Sequence, residues 1–247
     1  GVSADMGACL LPFSGKELGQ CKPHTSASGI PPGGADVRTQ QMLAAHAKRP
    51  EGYPPVTRLR PGLLLGSLYD ALDSELVRSE GVTHIVNATH ARLPELLQSL
   101  AHSSDMHAGP ASRESEWGVR GKVLEVQLED DPAEDIFRHF EPVCAFVNKS
   151  IAEGGRVLVH CEQGVSRSAA LAAAFLMRSE GTSALETLRV LKRLRPAVAP
   201  NEGFLGALLK WERHPAVSID PASSLEDLKA VCRPLSQYRR LEMLPLQ

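Results

Sequence analysis

Short apolar runs alternate with helix-length segments along most of the chain. Leu63-Leu64-Leu65-Gly66 and His84-Ile85-Val86-Asn87-Ala88 are runs bounded by turn residues and predict strands, with a helical-looking segment, Leu68 to Arg78, between them. Val123 to Leu128 and Arg156 to His160 predict two further strands. Between these, Phe140, Val143, Phe146, Val147 and Ile151 recur at helical spacing. After Arg167 the pattern turns helical: Leu171 to Arg178 is almost wholly apolar, as a helix inside a fold must be. Ser183-Ala184-Leu185-Glu186 is a capping box, Leu185, Leu188, Leu191 and Leu194 mark one face, and Pro196 stops that helix. Another helix is predicted from Glu202 to about Glu212. Strands alternating with helices imply an α/β fold, with a central, mostly parallel sheet of four to five strands flanked by helices.

Three segments stand outside this plan. Residues 1–55 are rich in Gly, Pro, Ala and Ser and read as a flexible leader, with one short helical candidate from Gln40 to Lys48. Residues 92–120 form a long polar connection inside the domain expected at 56–214. Residues 215–247 form an extension with one amphipathic candidate, Ser224 to Cys232, capped by Ser224 with Asp227 three residues on. Its Leu225, Leu228 and Val231 are placed to dock on the domain.

A formal net charge of -2 supplies no field to recruit nucleic acid or an anionic membrane. The five cysteines, Cys9, Cys21, Cys144, Cys161 and Cys232, lie far apart with no CxxC pair. That pattern suits a reducing cytoplasmic or nuclear compartment better than a disulfide framework. No apolar run approaches the roughly 20 residues that span a bilayer, so no membrane partner is expected. Met6-Gly7-Ala8-Cys9 resembles an acylation signal only if translation began at Met6, and Leu11 stands where that signal wants Ser or Thr.

The stretch with the most chemistry is Val157-Leu158-Val159-His160-Cys161-Glu162-Gln163-Gly164-Val165-Ser166-Arg167-Ser168. A strand ending in His160-Cys161, a short loop with Gly164 and a helix starting near Arg167 place the sulfur at a helix amino terminus. Unpaired N–H groups and the helix dipole there favour negative charge, so one place suits both a thiolate and a phosphate dianion. Arg167 brings a planar fork that can bond two phosphoryl oxygens at once. A lone cysteine after an apolar run is most often core; the histidine, glycine, arginine and serine at fixed offsets remove that reading. Cys144, on the apolar face of a helix, reads as packing, and His84, His90, His102, His107 and His139 show no metal-ligand spacing.

His160-Cys161, five residues, Arg167 and Ser168 form the signature of the cysteine-dependent phosphatases, and the loop resembles that of the dual-specificity branch. The resemblance runs from about Val56 to Trp211. Arg60 to Ser67 looks like the family's first strand, Gly81 to Thr89 like its second, and Pro200-Asn201-Glu202-Gly203-Phe204 like its late helix start. It implies a dual-specificity phosphatase-like fold and a metal-free, cofactor-free reaction. Cys161 would be the nucleophile, and Glu162, Gln163, Gly164, Val165, Ser166 and Arg167 would cradle the phosphate. Ser168 would hydrogen-bond the sulfur, and His160 would order the loop from behind. The family also carries an aspartate in a mobile loop some thirty residues before the cysteine. Asp130, five residues before Asp135-Ile136, matches it.

The implied activity is hydrolysis of phosphotyrosine and phosphoserine or phosphothreonine in a phosphoprotein substrate, through a phosphocysteine intermediate. Glu162 and Ser166 offer no cation for extra phosphates, which disfavours lipid substrates. The leader is too short for the docking module of the kinase-directed relatives, so the chain resembles an atypical member. Two alternatives stand beside this one: a catalytically weak phosphoprotein-binding module, and a phosphatase of a non-protein substrate. The sequence does not specify an oligomeric state.

Overall fold

Which face each apolar side chain must bury decides the layering. The computed structural model describes Arg49 and residues 52–90, 123–217 and 221–233. It contains the strands β1 (Thr57–Arg60), β2 (Leu63–Gly66), β3 (His84–Asn87), β4 (Val123–Glu125) and β5 (Val157–His160). They form one sheet in the order β1-β2-β5-β3-β4. β1 pairs antiparallel with β2, and every other pairing is parallel. The central strand β5 and its neighbour β2 are buried along their whole length, so both read as near-continuous apolar runs.

Successive strand residues point to opposite faces. Leu63, Leu65, Val86, Val157 and Val159 therefore enter one core, while Leu64, Ile85 and Leu158 enter another. The smaller core is closed by α1 (Leu68–Leu72) and α2 (Ser74–Ser79) through Leu68, Ala71 and Val77. The larger is closed by α3 (Phe137–Ala152), α4 (Arg167–Glu180), α5 (Ala184–Leu194), α6 (Glu202–Glu212) and α7 (Leu225–Cys232). α4 is buried from Arg167 to Met177, and its alanines at 169, 170 and 172–174 let the sheet and neighbouring helices approach closely. Trp211 of α6 donates from its ring nitrogen to the Ala174 carbonyl at 3.0 Å, fastening α6 to α4.

Register places the site. Gly66 and Asn87 both stand level with His160, so β2, β3 and β5 end together. Crevices outside the carboxyl ends of parallel strands are where such sheets bind ligands.

Several expectations are refined. The single helix expected from Leu68 to Arg78 is two, because Asp73 adopts an extended backbone and its side chain accepts from Leu76 N at 3.0 Å, starting α2 afresh. The strand expected to reach Leu128 is regular only to Glu125, although Val126 N still donates to Asn87 O at 2.8 Å. Strand β1 was not anticipated, since Thr57-Arg58-Leu59-Arg60 has the polar character of an edge. Helix α7 docks: Leu228 and Cys232 are buried, Leu225 and Val231 pack against the same core, and Glu212 Oε1 accepts from the N–H groups of Ala222 and Ser223. Tyr53 and Pro54, at the end of the expected leader, are buried. The leader up to Lys48 with its helical candidate and acylation-like start, the 92–120 connection and the tail beyond Arg233 lie outside the described residues. No helix among the described residues is long and apolar enough to cross a membrane.

Candidate active site

A loop whose N–H groups converge must turn its carbonyls outward, and buried carbonyls need donors. Each carbonyl from Glu162 to Ser166 has one. Glu162 O accepts from Leu68 N at 3.0 Å, Val165 O from Ala199 N at 3.0 Å and Ser166 O from Ala170 N at 2.9 Å. Gln163 O accepts from the Tyr53 hydroxyl at 2.5 Å, and Gly164 O from Arg195 Nε at 2.8 Å. Arg195 is itself buried, and it also reaches the Pro55 carbonyl. Burial lowers its pKa below the usual arginine value, partly offset by Asp70 and Tyr53. Gly164 adopts φ 69°, and a Cβ there would stand 2.5 Å from the Gly66 carbonyl oxygen, so only glycine fits.

Inside the loop lies Cys161, buried, with its Sγ accepting from Gly164 N and Ser168 Oγ, both at 3.2 Å. It stands ahead of the first turn of α4, where the helix dipole favours an anion. Cys144 and Cys232 sit elsewhere in the core, and burial pushes their thiols up to about 12 and about 11. Among the three described cysteines, Cys161 is the one whose sulfur accepts from both a loop N–H and a hydroxyl.

Arg167 begins α4 and is buried. Its Nη1 donates to Leu128 O at 3.1 Å, and its Nε lies 3.7 Å from Asp130 Oδ2 without a hydrogen-bond partner. Burial opposes its charge, but Cys161, Glu162 and Asp130 prevail and raise its pKa further. Asp130 Oδ1 accepts from Ser166 Oγ at 2.7 Å and from Asn201 Nδ2 at 2.9 Å. Its neighbour Asp131 accepts instead from Ala133 N at 2.7 Å within the turn. Asn201 also caps α6, accepting from Phe204 N at 3.0 Å. A Cβ on Gly203 would fall 1.9 Å from the Pro132 carbonyl oxygen, so that glycine lets the aspartate loop close onto α6.

His160 lies fully buried behind the loop, Nδ1 3.4 Å from the Cys161 carbonyl. Burial lowers its pKa from 6.5 to about 4. Because the folded value is the lower one, the unfolded chain takes up the extra proton first. The stabilisation present above pH 6.5 is therefore lost as pH falls towards about 4. Its ceiling is about 3 kcal/mol. Chemical denaturation at pH 7 and pH 4.5 should show a smaller difference for His160→Asn than for the natural chain. Equal differences would mean that His160 titrates normally.

The expected residues Cys161, Arg167, Ser168, His160, Asp130 and the loop 162–166 are thus brought together. Sequence reasoning missed the outer supports Tyr53 and Arg195, and it placed Asn201 and Gly203 at a helix start by resemblance without their contacts to the Asp130 loop. The visible signal was the Pro200-Asn201-Glu202-Gly203-Phe204 helix start; Arg195, one of several basic residues around the end of α5, carried none. Among the described residues no group of three or more His, Cys, Asp or Glu is arranged to hold a metal ion.

These features match known proteins. The family described as "Dual specificity phosphatase, catalytic domain" matches residues 63–214. Human dual specificity phosphatase 28 is 38% identical over 159 residues, covering 64% of this chain and 78% of that protein. Bovine dual specificity protein phosphatase 26 is 36% identical over 157 residues, 62% of this chain and 65% of that protein. A crystal structure of human DUSP28 superposes with a TM-score of 0.51 at 34% identity, covering 64% of this chain and 93% of that one.

Proposed function

Since the chain belongs to the dual specificity phosphatase family and is a cysteine-dependent phosphatase, we propose that it hydrolyses phosphotyrosine and phosphoserine or phosphothreonine on proteins through a phosphocysteine intermediate. The observation that carries this is the convergence of Gly164 N and Ser168 Oγ on Cys161 Sγ, with Arg167 and Asp130 in contact beside it. The catalytic unit is residues 56–214, braced from before its first strand by Tyr53.

In the first step the Cys161 thiolate attacks phosphorus as the bond from phosphorus to the ester oxygen breaks. Protonated Asp130 gives its proton to that oxygen, which leaves as an alcohol or phenol. Arg167 offers its Nε, which makes no hydrogen bond within the protein, and the loop its N–H groups, to the equatorial oxygens, where charge is spread in the transition state. In the second step Asp130, now a carboxylate, takes a proton from water as the water attacks phosphorus. The sulfur leaves with its charge stabilised by the Ser168 hydroxyl, and inorganic phosphate is released. His160, neutral at ordinary pH, holds the Cys161 carbonyl from behind and takes no proton.

The test is phosphate release from peptides bearing phosphotyrosine and from otherwise identical peptides bearing phosphothreonine. Release from both is expected. Release from the tyrosine peptide alone would overturn dual specificity, and release from neither would favour the binding-module alternative. Asp130→Ala protein should retain phosphoproteins from a lysate, and their identification would name the substrate.

A further inference from the structure

The residue directly after the nucleophile carries a charge of the wrong sign for a phosphate site. Glu162 is nevertheless buried, and its Oε1 lies 3.5 Å from both Nη1 and Nη2 of Arg167. A single oxygen equidistant from both terminal nitrogens meets the guanidinium end-on. On its other side the same oxygen lies 3.2 Å from Nδ1 of His90, a half-buried ring just beyond β3, at ion-pair distance and without hydrogen-bond geometry. The two terminal nitrogens are thereby engaged at the far end of the fork, Nη1 also by Leu128 O, while Nε makes no hydrogen bond and has Asp130 Oδ2 3.7 Å away. Bidentate capture of an oxyanion uses two nitrogens along one edge of the guanidinium, and that edge must face the loop.

On the phosphatase reading above, we propose that the Glu162 side chain, seated by His90, is a positioning residue. It holds the guanidinium of Arg167 end-on, so that the Nε edge is presented to the phosphoryl group. A second basis for its presence is its carboxylate charge, which by itself would only repel a dianion. Reach and charge can be separated. Asp keeps the charge but is one methylene too short, whereas Gln keeps the reach and an acceptor oxygen without the charge.

The ligand is tungstate, a tetrahedral oxyanion, and its binding is measured by calorimetry on full-length Cys161→Ser protein, so the readout does not depend on turnover. Glu162→Ala and Glu162→Asp should each weaken binding by about 10–100-fold, the range for losing a hydrogen bond to a charged group. Glu162→Gln should restore most of that loss, and His90→Ala should weaken binding in the same direction by a smaller factor. In an Arg167→Lys background, which has no fork to hold, Glu162→Ala should cost less than about threefold. Melting temperatures confirm that each variant is folded, and the Asp and Gln variants decide the question should Ala fail to fold. The opposite ranking, with Gln and Ala binding more tightly than the natural residue and Asp unchanged, would show that charge alone matters and would overturn the proposal. So would equal effects of Glu162→Ala with Arg167 present and absent. Those outcomes leave the phosphatase reading standing; failure of the Cys161→Ser protein itself to bind tungstate would remove both.

Discussion

Cys161→Ser protein is expected to retain less than about one per cent of the natural turnover while melting within a few degrees of it. Serine nearly matches the thiol in size and can still accept from Gly164 N and Ser168 Oγ, which lie 3.2 Å from the sulfur. The loop therefore keeps its donors. What is lost is the sulfur nucleophile, since a hydroxyl without an adjacent base attacks phosphorus poorly. Losing covalent catalysis normally costs far more than the ~10²–10⁴-fold attributable to acid–base assistance. Initial rates with an aryl phosphate, alongside a thermal melt, make the comparison. Turnover above about one per cent, from a preparation free of natural enzyme, would contradict the phosphocysteine route.

Asp130→Asn is expected to slow a substrate with a poorly acidic leaving group by ~10²–10⁴-fold. An activated aryl phosphate should suffer much less, because a good leaving group departs with little help. Asn keeps an oxygen for Ser166 and Asn201, which both donate to Asp130 Oδ1, so the loop should stay closed. Asp131→Asn and Glu129→Gln should not show this effect; Asp131 is engaged within its own turn. A plot of log rate against leaving-group pKa reads the result, steep for Asp130→Asn and shallow for the others. If the steep dependence appeared in Asp131→Asn instead, the acid would be the neighbouring carboxylate and the assignment would fail.

Much of this site was legible along the chain because its central parts are close in sequence. Cys161, Gly164, Arg167 and Ser168 span one strand-loop-helix connection, and the chemistry of that turn depends on residue types at fixed offsets. Asp130 was reachable only through the family resemblance. Its neighbours Glu129, Asp131, Glu134 and Asp135 are equally acidic, and nothing in local periodicity separates them. The split between α1 and α2 was missed because Asp73 interrupts an otherwise continuous apolar spacing, and a side-chain cap leaves no mark on hydrophobic periodicity. Helix α7 was recognisable by its cap, but whether it docked depended on partners in α5 and α6.

By itself the sequence determined the alternation of strand and helix, the buried central strand and the placement of Cys161 before a helix. Each of these follows from local spacing and from the need to bury apolar side chains. Tertiary structure alone decided which groups hold the loop open to an anion. Tyr53 and Arg195 reach its carbonyls across 110 and 31 residues, and Asn201 reaches Asp130 across 71. The same holds for Glu162, whose charge looked unfavourable beside a phosphate site until the fold set its oxygen against both ends of the Arg167 fork. Hydrogen bonds of this kind depend on distance and angle in space, and no periodicity along the chain encodes them.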